Sequence, residues 1–293
     1  MTRRELEGVL DALRAALGPV EVETTRGPRD AERIAREAVR AGIERIVIAG
    51  GDGTASEVVT GLLAADLGGY AGIAVLPLGT GSDWIRTLGV PRALNRAVAA
   101  IAEDRFRPMD AGRVRFRDRD GRERTTYFAN IASLGVSALV TELVNRTTKV
   151  FGGRASFLLG TLRGIARYRP RAVALRLDGK LVHEGPLVLA AAANGRFFGG
   201  GMQIAPRAVP DDGLLDLVVV PALGALRLLR ELPRLYAGTH LELVDVGFHR
   251  GRRVEADAEP GSVWLEVDGE PLGTLPATIE IVPGALRVLG TGK

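Results

Sequence analysis

The sequence contains no cysteine, which excludes thiol catalysis, cysteine-ligated zinc and structural disulfides. Histidine is nearly as scarce: His183, His240 and His249 lie far apart and in no ligand spacing, so a histidine metal centre is not expected. Lysine occurs only as Lys149, Lys180 and Lys293, and the formal charge of +4 therefore rests almost wholly on arginine. Aromatic residues make up 5% of the chain and form no basic–aromatic motif, which argues against a nucleic-acid partner. No hydrophobic run is long enough to span a bilayer. The N-terminal MTRRELEGVL reads as an amphipathic helix rather than a secretory signal. These absences lead to the expectation of a cytoplasmic protein whose membrane contact is peripheral.

What is present is an ordinary globular balance of 46% hydrophobic and 25% charged residues over 293 positions, enough for one large domain or two modest ones. Arginine keeps its charge and planar fork at any physiological pH, which suits phosphate or an anionic membrane surface. A codon bias explains the same enrichment.

Two periodicities alternate in the first hundred residues. Leu6, Val9, Leu10, Leu13 and Leu17 form a helical stripe that stops at Gly18. Val20–Thr24 reads as a short strand, and Asp30 caps a helix to about Arg40. Arg45–Ala49 is a near-continuous apolar run, as in a strand buried on both faces. A Gly-rich turn and a helix bearing Val58, Val59, Leu62 and Leu63 follow, then a strand (Ile73–Leu76), a turn over Pro77–Ser82, and helices from Asp83 and Pro91. Such units predict a parallel sheet covered by helices, a Rossmann-like α/β domain over 1–107. From 108 to 293 apolar segments meet at Asp120-Gly121, Asp178-Gly179 and Asp268-Gly269, the pairs that favour tight hairpins. This half is expected to be β-rich and sandwich-like, interrupted by helices at Arg154–Tyr168 and Leu223–Tyr236, with its last residues returning to the first domain. A cleft between the domains is the expected ligand site.

The chemistry concentrates in Ala49-Gly50-Gly51-Asp52-Gly53-Thr54, between a strand and a helix. Glycines let the backbone approach a ligand, and the N–H groups of the turn and helix start would face an anion. A carboxylate at Asp52, where phosphates would gather, makes sense mainly if a divalent cation bridges them. Leu78-Gly79-Thr80-Gly81-Ser82-Asp83-Trp84 makes a second such turn after the next strand, at the same edge of the sheet. Helix capping is the plain structural reading of Ser82 and Asp83.

GGDGT followed by PLGTGSDW resembles the diacylglycerol kinase catalytic superfamily, whose members include bacterial lipid kinases, sphingosine kinases and ceramide kinases. The resemblance runs along nearly the whole chain. Phe128-Ala129-Asn130-Ile131-Ala132-Ser133-Leu134-Gly135 matches a strand-end motif of the second domain. Asn194-Gly195 through Phe198-Gly199-Gly200-Gly201-Met202, then Ala205-Pro206 and Asp211-Asp212-Gly213-Leu214-Leu215-Asp216, matches the bacterial branch, and Asp268-Gly269-Glu270 completes the set.

The resemblance implies an ATP- and Mg2+-dependent phosphotransferase acting on the hydroxyl of diacylglycerol or a related lipid alcohol. It implies that Thr25, Gly50, Gly51, Asp52, Gly53, Thr54, Glu57, Gly79, Thr80, Gly81 and Asp83 contact ATP, with Asp52 near the phosphates and the catalytic magnesium. It implies a structural Mg2+ held by Asp212 and the carbonyls of Val209 and Leu214. Glu270 would be the general base, with Asp268 beside it. Read without the resemblance, Asp211-Asp212-Gly213 and Asp268-Gly269-Glu270 are polar turns.

Two departures from the family pattern stand out. The family opens with a strand ending in Asn-Pro-x-Ser-Gly, whereas this chain begins at the helix that follows, through a late start or loss of part of the nucleotide site. Ser82 also stands where many members carry Asn. On the lipid side, Val150, Phe151, Phe157, Leu158, Leu159 and Leu162 precede Arg163, Arg167, Arg169 and Arg171. Leu226, Leu228, Leu229, Leu232 and Leu235 alternate with Arg227, Arg230 and Arg234. Either set would suit anionic headgroups, but helix packing on the β-domain with a solvated Arg face is the favoured reading of each. Partners expected are a lipid substrate, a membrane surface and, as an open assembly, a second copy in a homodimer. An NAD kinase-like enzyme and an inactive nucleotide or lipid binder are the alternatives.

Overall fold

The computed structural model of the chain describes residues 3–78, 83–118, 120–146 and 153–290. Helix α1 (Arg3–Leu17) buries Val9 and Leu13 and ends at Gly18, whose φ of +83° suits glycine. Residues 20–24 join no sheet, and Val22 is exposed. The expected strand is therefore absent: alternation makes a strand only where a neighbour completes the ladder. Helix α2 (Asp30–Arg40) is followed by β1 (Arg45–Ile48), α3 (Asp52–Leu63), β2 (Gly72–Val75), α4 (Asp83–Leu88) and α5 (Leu94–Ala102). β1 and β2 pair in parallel, Ile46 opposite Ile73. β1 lies at the sheet edge and fully buries only Ile48, so the apolar run is not covered on both faces as expected. β2, flanked by β1 and the end of β12, is wholly buried. α2 packs on α3 at Gly61, where a Cβ would come within 2.5 Å of the Glu32 carbonyl oxygen.

The rest of the chain is mainly antiparallel: β3 (Phe106–Arg117), β4 (Glu123–Phe128), β5 (Ile131–Gly135), β6 (Arg171–Leu177), β7 (Lys180–Ala193), β8 (Leu215–Pro221), β9 (Gly247–Gly251), β10 (Arg253–Asp257), β11 (Trp264–Val267) and β12 (Glu270–Leu289). Hairpins β3–β4, β6–β7 and β11–β12 turn at the three Asp-Gly pairs. Asp178 and Asp268 adopt φ of +49° and +46°, a conformation that Asp tolerates better than most residues. Pairings β12–β10–β6–β7–β5–β11–β12 close on themselves, wrapping a core that includes Phe128, Leu134, Leu175, Leu187, Leu265 and Ile279.

Helices α7 (Gly153–Arg167) and α8 (Ala225–Ala237) match expectation within a residue or two, and α6 (Val136–Arg146) is additional. The stripe Val136, Val140, Val144 buries this helix against Val188 and Leu189 of β7 in a third core. The expected boundary at residue 107 falls inside β3. β3 and the 20-residue β12 pair along their length, from Phe106–Leu289 to Arg117–Thr274. The far end of β12 joins β2 in parallel, Val288 opposite Ile73. One pair of strands thus serves both cores, and ties the strand-to-helix turns of the first half to the helices of the second.

Candidate active site

The turn from β1 to α3 is built by its glycines. A Cβ on Gly50 would sit 2.9 Å from the Thr54 hydroxyl oxygen, and Gly51 takes the extended N-cap position of α3. Gly51 and Gly53 are exposed, leaving the helix N-terminus open to an anion. Asp52, the first residue of α3, reaches across to the next unit: its carboxylate accepts hydrogen bonds from the backbone N–H groups of Asp83 (3.0 Å) and Trp84 (3.3 Å). Asp83 continues the chain of contacts, accepting from Arg86 and, at 2.7 Å, from the N–H of Gly200. Gly199, Gly200 and Gly201 all have positive φ, so the Phe198–Met202 loop that Asp83 anchors needs glycine.

Asp268 holds the opposite wall. Its carboxylate accepts from the N–H groups of Ala129 (3.0 Å), Asn130 (3.2 Å) and Ile131 (2.9 Å). Asn130 in turn donates to the Phe197 carbonyl, and its own carbonyl accepts from Asn194 and Gly195. A Cβ on Gly195 would overlap the Asn130 side chain at 1.8 Å, which accounts for the Asn-Gly pair. Burial pushes the Asp268 carboxyl up to about 6, against three hydrogen bonds that favour its ionised form, and the Asp52 charge adds to the rise. Glu270 follows the hairpin at an exposed position, and partial burial of its carboxyl, with the Glu57 charge facing it, raises its pKa. Glu266, on β11, is buried. Its carboxyl accepts from the Gly269 N–H (2.5 Å) and lies 2.5 Å from the Ser133 hydroxyl, and burial pushes it up to about 7.

These walls enclose a cavity of about 700 Å3. Its polar end is lined by Gly51, Asp52, Gly53, Asp83, Asn130, Asp268 and Gly269. From there it runs between α6, α7, α8 and the sheet, lined by Val136, Val140, Val144, Ile165, Val188, Met202, Ile204, Leu228, Leu232 and Leu235. One space therefore joins an anion-ready helix terminus to an apolar compartment.

The acidic end fits a divalent cation that arrives with phosphates. Asp52, Glu266 and Asp268 line it, and none of the ion pairs among the described residues engages them. No three His, Cys, Asp or Glu side chains among the described residues converge as a metal site. An Mg2+ ion here would thus complete its shell with phosphate and water oxygens, its usual mode. The donors expected for a structural Mg2+ are placed differently. Asp212 accepts from the Leu214 N–H (3.0 Å) and pairs with the Arg250 guanidinium, which also bonds Asp216 at 2.9 Å. Of the expected Val209, Asp212 and Leu214 donors, the Asp212 carboxylate is thus engaged by a guanidinium.

Of the other expected nucleotide contacts, Thr25 is exposed outside the cavity lining. Glu57 accepts a 3.1 Å hydrogen bond from the Ala31 N–H at the start of α2 and faces Glu270. Gly50 and Thr54 pack on each other behind the turn. Gly79, Thr80 and Gly81 lie outside the described residues. Sequence reasoning missed Glu266 and the cavity-lining helix α6 with Ser137 and Thr141. The available signals were a lone carboxylate between Leu265 and Val267, and valines at i, i+4 and i+8 from Val136.

The sequence and its architecture have counterparts. Residues 1–114 match the diacylglycerol kinase catalytic domain, and residues 130–290 match the YegS C-terminal NAD kinase beta sandwich-like domain. A Mycobacterium tuberculosis protein named diacylglycerol kinase is 34% identical over 89% of this chain and 81% of its own length. A Chromohalobacter salexigens protein named "Probable lipid kinase YegS-like" is 34% identical over 96% and 87%. A crystal structure of a diacylglycerol kinase from Bacillus anthracis superposes with a TM-score of 0.76 over 98% of this chain and 91% of that one, at 24% identity. An NAD kinase from Archaeoglobus fulgidus in complex with ATP superposes with a TM-score of 0.54 at 15% identity, over 98% and 90%. Both halves of the fold, the two Gly-rich turns and the Asp-Gly-Glu hairpin thus converge on one assignment: the chain belongs to the diacylglycerol kinase family, in its bacterial YegS-like branch.

Proposed function

We propose that this protein is an ATP-dependent lipid kinase that transfers the γ-phosphate of ATP to the hydroxyl of diacylglycerol or a closely related lipid alcohol. The observation that carries this reading is one cavity, acidic and glycine-lined at one end and mainly apolar beyond it, with Thr141, Thr161 and His240 among the few polar residues there. An NAD acceptor would bring ribose, amide and phosphate groups into the apolar part, where burying them without partners is costly. Acyl chains match it.

Phosphoryl transfer passes through a loose transition state, so alignment and neutralisation of charge do most of the work. The N–H groups at Gly51–Gly53 and the dipole of α3 support the phosphates. Mg2+ bound beside Asp52 would supply neutralisation of phosphate charge. Glu270 takes the proton of the acceptor hydroxyl as the new P–O bond forms, and burial, which raises its pKa, makes its carboxylate a stronger base than a free one. Asp268 positions this hairpin through the turn between β4 and β5.

Lipid must reach the cavity from a membrane. Leu228, Leu232 and Leu235 of α8 line the cavity although no residue of α8 is fully buried, and Leu226 on the same helix is 85% exposed. Leu158, Leu159 and Leu162 of α7 are also exposed. Together with Arg163 and Arg167, these leucines support a peripheral contact with anionic headgroups. Val150 and Phe151 lie outside the described residues.

The test is transfer from γ-labelled ATP with Mg2+ to a panel of lipid alcohols in mixed micelles, with NAD included. Label in a lipid product is the expected outcome; label in NAD alone would overturn the reading.

A further inference from the structure

We propose that Leu226 and Val244 form a two-pronged tip that inserts into the acyl region of an anionic bilayer and sets the apolar end of the cavity against the membrane. The inference rests on the lipid kinase reading above and names the surface through which the acceptor leaves its membrane.

The two side chains are the most exposed large hydrophobics among the described residues, at 85% and 101%. They stand on two segments that share one wall of the cavity. Leu226 lies in the first turn of α8, and Val244 follows the single turn His240–Glu242. The Arg227 guanidinium pairs with the Asp245 carboxylate, which ties together the residues next in the chain to Leu226 and Val244. Apolar neighbours on both segments turn inward: Leu223 and Leu228 on one, Leu243 and Val246 on the other, line the cavity. Leu228 and Val246 also pack on the third core. Leu226 and Val244 do neither. The wall is therefore apolar on its inner side and carries two apolar side chains on its outer side, with a neutralised ion pair between the segments.

Single leucines on a surface are ordinary, so charge must decide what covers this tip. Helix α8 packs against α7, and residues 143–177, which include α7, carry eight basic and no acidic side chains. Gly160 and Gly164 of α7 turn toward α6, where a Cβ on either would come within 2.5 Å of Val144 or Val140. Leu158, Leu159, Leu162, Arg163 and Arg167 are left exposed. The surface beside the tip is thus both apolar and cationic. An anionic bilayer matches it on both counts: phosphates meet the guanidiniums, and acyl chains take up the leucine and valine. A second copy of this chain on the same face would set like cations against each other. With the tip inserted, the acceptor passes from the bilayer into the cavity along the α8 wall without crossing water.

The experiment measures partitioning of the full chain onto vesicles of phosphatidylcholine and phosphatidylglycerol, without ATP, for the wild type and for the double variant Leu226→Ser, Val244→Ser. Withdrawing two apolar side chains from the bilayer is expected to weaken partitioning at least about tenfold. The difference is expected to persist in about 0.5 M salt, which screens the attraction of the headgroups. Transfer to dioleoylglycerol in the same vesicles is expected to fall with binding, while transfer to dissolved dioctanoylglycerol, which needs no membrane, stays within a few-fold of wild type. Equal partitioning of the two proteins would overturn the inference. So would a dimer in light scattering that the double variant splits while vesicle binding is unchanged. Turnover of dioctanoylglycerol in either case leaves the kinase reading intact. Label in NAD and in no lipid would overturn that reading, and the inference with it.

Discussion

Asp268 and Ile131 bond each other reciprocally: the Asp268 N–H donates to the Ile131 carbonyl at 3.0 Å, and the Ile131 N–H donates to the Asp268 carboxylate at 2.9 Å. This clasp fixes the β11–β12 hairpin, and with it Glu270, against the turn that carries Asn130. The same carboxylate serves Ala129 and Asn130. Asp268→Ala leaves three N–H groups without their acceptor, and is expected to cost about 3 kcal/mol of stability. It is also expected to lower kcat at least about a hundredfold, because the base loses its placement. Melting curves and steady-state kinetics check the two effects together. Unchanged kcat at lowered stability would make Asp268 purely structural.

Glu270→Gln removes the proposed proton acceptor and preserves the shape of the side chain. Transfer is expected to fall by about a hundredfold to ten-thousandfold, with ATP affinity, read by calorimetry, within a few-fold of wild type. If turnover persists at the wild-type rate, the acceptor proton goes elsewhere.

Much of this was legible beforehand. The Gly50–Thr54 turn and the three Asp-Gly hairpins are set by local conformational demands, which short stretches of sequence carry in full. Val20–Thr24 alternates like a strand yet joins no sheet, because pairing depends on a partner and not on the segment. The apolar run Arg45–Ala49 reads as doubly covered, and edge position is likewise a property of the whole sheet. Helix α6 went unseen because its valines are interspersed with Ser137 and Thr141 directly after a strand. Glu266 has meaning only opposite Ser133, 133 positions away. Asp212 pairs with Arg250, 38 positions away, and no motif announces that contact.

The raised carboxyl of Glu266 also has a thermodynamic consequence. Its pKa is about 7 in the folded state against 4.5 for the free group. The folded protein therefore holds the proton more tightly than the unfolded chain. Its contribution to stability is fully present below pH 4.5 and is lost as pH rises through 7. Over that window the loss amounts to about 3 kcal/mol. Glu266→Gln, which cannot ionise, is expected to melt higher than wild type at pH 8 and close to it at pH 5. Chemical denaturation at the two pH values measures the difference, and parallel shifts at both would refute the assignment.

Arg250 bridges Asp212 to Asp216, whose side chain is only 1% exposed. Removing the guanidinium leaves a buried carboxylate without its partner, so Arg250→Leu is expected to destabilise by about 3 kcal/mol. Asp212→Ala removes a more exposed partner and is expected to cost about 1 kcal/mol or less. Urea titration distinguishes the two. If Asp212→Ala proved the costlier change, and only in Mg2+, the carboxylate would be holding an ion in solution.

The central claim is that the acceptor lipid occupies the same cavity that begins at the Gly51–Gly53 turn. The direct measurement is the kinetics of Val140→Trp, which fills the apolar compartment from α6 at a distance from the turn, with melting temperature as the control for folding. The account predicts a KM for dioleoylglycerol raised at least about tenfold, with ATP affinity unchanged. Wild-type lipid kinetics in a folded Val140→Trp protein would place the acceptor somewhere else and contradict it.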